Sequence, residues 1–225
     1  FMIQNYDAGI RYVDTLIREI HEATLRQCSR ETILVVTSDH GDEFMDHGGL
    51  GHGRTLEKEL VRVPLPIHGA PGLPPVRYPH LVRQVDIGPT LLALAGFRPP
   101  TTWDGTNLLP LLADAGSSPG PVSSIARYKS KISLTTNRWH AIWDPDNGAV
   151  TLYDNLRDPA GLLDVAAERA NVMDKLEQRL QPFLAELLAV NIRARTLREE
   201  FRSRNLYSQS EQEALEQLRA LGYVR

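Results

Sequence analysis

The sequence predicts an α/β fold with a mainly parallel sheet, followed by a small antiparallel sheet and helices. Three observations carry that expectation. An amphipathic helical pattern leads into an unalternating β-branched run, a later series of short alternating runs contains a Pro/Asn/Gly turn, and a Leu-rich helical pattern follows. At 225 residues, with 42% hydrophobic and 24% charged, the chain can bury a sizeable core and has an ordinary globular balance.

Tyr6, Ile10, Val13, Ile17, Ile20 and Thr24 recur at steps of four and three, one stripe of an amphipathic helix with Arg11, Arg18, Glu19 and Glu22 opposite. Thr32 to Thr37 then reads as a strand buried on both faces, the kind found in parallel sheets. Val63, Leu65 and Ile67 alternate with Pro64 and Pro66, which removes two backbone donors and predicts an edge or irregular strand. Ile87 to Ala95, with Pro89 near its start and Gly96 after it, predicts a short helix, and Leu108 to Leu112 is a second Leu-rich segment. After the Gly/Ser/Pro break at 115–121, residues 122–156 predict a small antiparallel sheet, its last hairpin turning at Asp144 to Gly148. Val172, Leu176, Leu180, Phe183 and Leu187 predict a helix interrupted or bent at Pro182, and Ser210 with Glu213 a capping box before a last helix ending at Gly222. Two domains are expected, 1–116 and 122–225.

A net charge of −3 leaves no electrostatic footprint for nucleic acid, and no apolar run is long enough to span a membrane. Cys28, the single cysteine, excludes an intramolecular disulfide. The chain begins FMIQNYDAG, already in a helical pattern, so it is expected to be the downstream part of a longer protein. Its localisation stays open between bacterial cytoplasm and periplasm.

The chemistry concentrates in TSDHGDEFMDHGGLGHG, residues 37 to 53, which packs three histidines, four acidic residues and five glycines into seventeen positions. Asp39-His40 at the end of the first strand offers a carboxylate and an imidazole, a pair suited to a divalent cation of intermediate hardness. A capping Asp39 and a core His40 are the structural alternative. His47-Gly48 and His52-Gly53 repeat a unit, and the intervening glycines let the loop fold back so that His52 approaches the same cleft. The alternative is a solvated surface loop, with Asp42, Glu43 and Asp46 as solvated charge.

Thr37 to Phe44, His47-Gly48, His52-Gly53 and Leu60 to Leu65 together resemble the downstream half of the sulfatase family, within the alkaline phosphatase superfamily. The likeness continues through Gln84 to Leu92, Asp104-Gly105, Leu152-Tyr153-Asp154, Asp158-Pro159 and Leu218 to Tyr223. That resemblance implies a partial alkaline-phosphatase-like sandwich and a C-terminal subdomain. It also implies hydrolysis of sulfate esters of small molecules or carbohydrates, with phosphodiesterase or phosphonate monoester hydrolase activity as the alternative in the same superfamily. The implied nucleophile is a formylglycine made from Cys or Ser in a Cys/Ser-x-Pro-x-Arg motif. Its hydrate attacks sulfur, the alcohol departs, and the sulfated intermediate releases sulfate. One divalent cation is implied, calcium first, with manganese, magnesium or zinc as alternatives. By resemblance Asp39 and His40 are metal ligands, His52 a donor near the leaving oxygen, and His47 a second catalytic histidine.

The nucleophile motif is missing: Cys28-Ser29-Arg30 lacks the proline. The chain alone is therefore expected to be inactive, with the nucleophile upstream. A non-catalytic interaction domain is the alternative from another class, drawing on Arg193, Arg195, Arg198, Arg202 and Arg204. The C-terminal helices are candidate contacts for a homo-oligomer.

Overall fold

The computed structural model describes residues 1–28, 32–73, 75–114, 123–144, 146–203 and 216. It comprises two compact units, Phe1–Met173 and Asp174–Arg225. The first unit opens with helix α1 (Met2–Gln27), then β1 (Leu34–Val35), β2 (Glu43–Phe44), β3 (Leu50–Gly51), the short α2 (Lys58–Val61) and β4 (Ile67–His68). A 3₁₀ turn at Gln84–Asp86 leads into α3 (Ile87–Leu94), followed by α4 (Leu109–Ala113). Four strands then form a meander: β5 (Ser124–Tyr128), β6 (Lys131–Thr135), β7 (Trp139–Asp144) and β8 (Ala149–Asp154). Helix α5 (Ala170–Ser203) continues through Pro182, so of the interruption or bend that the sequence predicts there, the interruption does not occur.

Every strand pair among the described residues is antiparallel: β1 with β4, β2 with β3, and β5 to β8 in order. The expected mainly parallel sheet is therefore not what pairs here. Instead β1 meets β4 at Leu34↔His68 and Val35↔Ile67. The backbone amide of Val36 extends the pairing to the Pro66 carbonyl at 3.1 Å. Pro64 and Pro66 have no N–H to donate, which confines the ladder to this short stretch. The apolar stripe of α1 is largely exposed, with Ile10 55%, Val13 50% and Ile20 62% accessible. Near its two ends the helix touches the strands, through Tyr6 against Phe44 and His21 against His68.

The four-stranded sheet is the best-buried part of the first unit. Its register aligns Ile125, Leu134, Ala141 and Leu152 across all four strands. Leu134, Ala141 and Leu152 are fully buried. Burying a leucine contributes roughly 1.5–3 kcal/mol relative to leaving it exposed. Packing of Leu56 and Val61 against Ile142, Tyr153, Ala126 and Tyr128 joins this sheet to the segment that follows the histidine-rich loop. Buried His140 donates through Nε2 to the Leu56 carbonyl at 2.9 Å, which fastens the same junction.

The predicted capping box at Ser210 and Glu213 and the helix ending at Gly222 lie outside the described residues, as does the break at 115–121. So do the side chains of the arginines between 193 and 204 and of Leu187, Ile192, Leu197 and Phe201. Among the described residues no helix is long and apolar enough to cross a membrane.

Candidate functional site

The loop after β1 is held from two sides. From one side, Gln84 donates through Nε2 to the Ser38 carbonyl at 2.6 Å. Gln84 is itself fixed because buried Asp86 accepts from the Arg83 amide, the Arg83 guanidinium and the Thr106 amide, each at 2.8 Å. Such a charge-assisted knot around a buried carboxylate holds its geometry well. From the other side, the Gly41 amide donates to the Leu60 carbonyl at 2.9 Å. A Cβ at Gly41 would run into the Glu59 carbonyl, so glycine is required there for close backbone approach rather than for a left-handed turn.

Asp39 accepts the His40 amide on Oδ1 at 3.0 Å. That bond holds its carboxyl below the usual aspartate range. His40 donates through Nδ1 to the Gly41 carbonyl at 3.0 Å; a carbonyl only accepts, so the proton sits on Nδ1 and the Nε2 lone pair is free. Nε2 lies 3.7 Å from Asp39 Oδ2. An imidazole lone pair beside an exposed carboxylate is a fitting start for a cation site.

The loop returns as predicted. Gly51 and Gly53 take φ of +74° and +79°, values that favour glycine, and bring the His52 ring to 4.2 Å from the His40 ring. Nδ1 of His52 is 2.9 Å from Asp42 Oδ1. Asp42 is thus a partner of His52 rather than idle solvated charge. His40, Asp42 and His52 present ligand atoms all within 4.8 Å of one another. Two imidazoles and a carboxylate, with Asp39 beside them, match zinc or manganese in softness, whereas calcium takes six to eight oxygens.

His47 lies in a different, more enclosed group. Its Nδ1 is 2.6 Å from Glu59 Oε1 and its Nε2 2.6 Å from the Gly161 carbonyl. Glu43, also expected as solvated charge, is only 2% exposed and accepts the amides of His47 and Gly49, at 3.0 and 2.7 Å. Glu57 and Glu59, which the sequence analysis does not single out, lie between Leu56 and Leu60, both of which the fold buries. Glu57 is pushed up by burial, against the opposing pull of His47, and its Oε1 accepts from the Tyr153 hydroxyl at 3.3 Å. Met45, at φ +73°, is a non-glycine residue in the left-handed region at the turn between β2 and β3.

The Sulfatase family model matches residues 2–97. Mouse arylsulfatase K is 31% identical over 181 residues, covering 74% of this chain and 32% of its own. Among solved structures, a protein in complex with its substrate D-glucosamine-2-N,6-O-disulfate is 25% identical, with a TM-score of 0.64 over 78% of this chain and 39% of that one. The phosphonate monoester hydrolase of Agrobacterium radiobacter is 26% identical, with a TM-score of 0.57 over 82% of this chain and 40% of that one. The chain spans about a third of the length of the curated relatives it matches.

Proposed function

Because this chain belongs to the sulfatase family of the alkaline phosphatase superfamily, we propose that it supplies one side of an active site that hydrolyses sulfate esters of a carbohydrate. The observation that carries the reading is the return of His52 to His40, with ring centroids 4.2 Å apart, on a loop anchored through Ser38, Gly41 and Asp42.

In this reading Asp39 and His40 hold a divalent cation, for which the free Nε2 of His40 is already directed towards Asp39. When bound, the cation would polarise an oxygen of the sulfate group. His52 donates to the leaving alcohol oxygen, while Asp42 keeps its proton-bearing Nδ1 turned away and leaves Nε2 to face substrate. Asp39, His40 and His52 are 87%, 43% and 58% exposed at their side chains, so the group they would bind is reached from open solvent. The nucleophile is proposed to be a formylglycine upstream of these residues, and the mainly parallel sheet to be completed by strands from that same upstream part. The carbohydrate substrate rests on the likeness to the protein solved with a glucosamine disulfate.

The reading is tested in the full-length protein by comparing 4-nitrophenyl sulfate turnover of the native form with His52→Ala and Asp39→Ala. Loss in both supports it, and full activity in either removes the assigned role. A second reading, phosphonate monoester hydrolysis, is favoured by the likeness to the Agrobacterium enzyme. Turnover of an aryl phosphonate above that of the aryl sulfate would select it.

A further inference from the structure

His47 has acceptors on both ring nitrogens. The Gly161 carbonyl, 2.6 Å from Nε2, has no proton to give. Glu59 Oε1, 2.6 Å from Nδ1, is a carboxylate oxygen. A neutral imidazole carries one N–H, so two such bonds require either an imidazolium or a protonated glutamic acid donating to Nδ1. The first is favoured, because a carboxyl group loses its proton about two pH units before an imidazolium does. Glu57 Oε2, 3.8 Å from Nε2, adds negative charge on the other side of the ring.

We propose that His47 is an imidazolium cross-tie whose two donations, to Glu59 and Gly161, position the loop that presents His52. The partners come from distant parts of the chain: Glu59 belongs to α2, and Gly161 follows β8, 114 residues from His47. The amide of His47 is meanwhile held by Glu43, so the ring and backbone of one residue join four segments. His52 is five residues further on, beyond β3, and its loop is seated where Gly53 passes close to the Tyr128 hydroxyl.

Groups around the ring support retention of the proton. Burial works against the charge, but the Gly161 carbonyl, Glu59 and Glu57 outweigh it, and the proton affinity of His47 is raised above the ordinary value. Glu43 adds negative charge from the loop side, bound to the His47 amide. Tyr153 faces the ring at 5.8 Å and stays un-ionised, its hydroxyl pushed upward first by burial and then by Glu57. Of the two basic groups nearby, His140 is held neutral by burial, and Lys58 lies on α2 with its proton affinity lowered by burial and Arg62. Glu43, His47 and Glu59 also have atoms close enough to surround a cation. Both nitrogens of His47 are spent on donation, however, and leave no lone pair for one.

The cross-tie itself stands on this geometry, and its bearing on catalysis rests on the sulfate-ester reading. The test is a pH titration by ¹H–¹⁵N NMR of the ¹⁵N-labelled 225-residue chain in EDTA. Two ring N–H signals and imidazolium shifts for His47 are expected at pH 6, with a midpoint above the ordinary 6.5. A single ring N–H at pH 6, or a midpoint at or below 6.5, overturns the proposal. Glu59→Gln preserves the size of the partner while removing its charge, and the midpoint should fall by about one pH unit or more. An unchanged midpoint would show that the ion pair is not what holds the proton; where this variant does not fold, the native titration decides alone. The Nδ1–H signal of His52 should disappear in step with His47, and independence of the two overturns positioning. Displacement of the His47 signals by equimolar Zn²⁺ in metal-free buffer would instead make the cluster a metal site. None of these readings needs turnover, so failure of the sulfate-ester assignment leaves them intact. In the full-length enzyme the alkaline fall in kcat should move down with the His47 midpoint in Glu59→Gln. An alkaline limb that stays in place removes the catalytic consequence alone.

Discussion

His52 and Asp42, ten residues apart in sequence, meet through Nδ1 and Oδ1 at 2.9 Å. The bond decides which end of the imidazole is presented: with the proton on Nδ1 spent on Asp42, Nε2 is the atom left for a further partner. In the full-length enzyme His52→Ala should lower kcat on an aryl sulfate by about 10²- to 10⁴-fold, the ordinary yield of a positioned proton donor. Asp42→Asn retains the size of the partner but not its charge and should cost less, roughly 10- to 100-fold. Steady-state kinetics checks both, and an Asp42→Asn effect confined to KM would mean that Asp42 shapes binding rather than His52.

The 225-residue chain by itself should not turn over 4-nitrophenyl sulfate, since Cys28 is followed by Ser29 and Arg30 and no Cys/Ser-x-Pro-x-Arg motif occurs. Addition of Mn²⁺ or Ca²⁺ should not change that. Turnover by the isolated chain that Asp39→Ala abolishes would show that a nucleophile is present after all, and would require a different mechanism.

Buried His140 makes stability depend on acid. Burial lowers its proton affinity to about 4, against the favourable pull of the Leu56 carbonyl, and its ring is fully enclosed. Because the folded-state value lies below the unfolded 6.5, the unfolded chain takes up a proton first as pH falls. Stability is therefore full above pH 6.5 and is lost progressively between about 6.5 and 4. The order of magnitude is a few kcal/mol at the acid end. Urea unfolding followed by tryptophan fluorescence at pH 7 and pH 4.5 should show the loss, and a His140→Gln variant should show less of it.

The elements that local pattern dictates were legible before the structure. The helix at Ile87–Leu94 carries Pro89 in its first turn and stops before Gly96, and the strands from Ser124 to Asp154 fall where the short runs and the turn signal put them, because turn chemistry and local propensity agree there. The return of His52 towards His40 was readable from the spacing of glycines, whereas its tie to Asp42 depends on a side-chain direction that only the folded loop fixes. The Glu59 and Gly161 contacts of His47 were not readable at all, since a carbonyl 114 residues away leaves no local signal. The exposed stripe of α1 had the right period, but period states that a face is apolar and not what covers it.

Cation preference is the remaining consequence of the donor set. His40, His52 and Asp42 present ligand atoms within 4.8 Å of one another, and Asp39 Oδ2 is 3.7 Å from His40 Nε2. Two nitrogens and two carboxylates supply too few oxygens for calcium, while zinc accepts four such ligands and ranks above manganese for them. The isolated chain should therefore bind Zn²⁺ more tightly than Mn²⁺, and Ca²⁺ most weakly, whatever the complete enzyme selects with additional oxygen ligands. Calorimetric titration of the apo chain gives the order directly. His40→Ala should abolish the zinc signal because it removes the one imidazole whose free lone pair is fixed by its own Nδ1 bond to Gly41. Retained zinc binding in that variant would place the ion on His52 and Asp42 instead, and calcium binding ahead of zinc would mean that backbone carbonyls near Asp39, rather than the imidazoles, form the cation's shell.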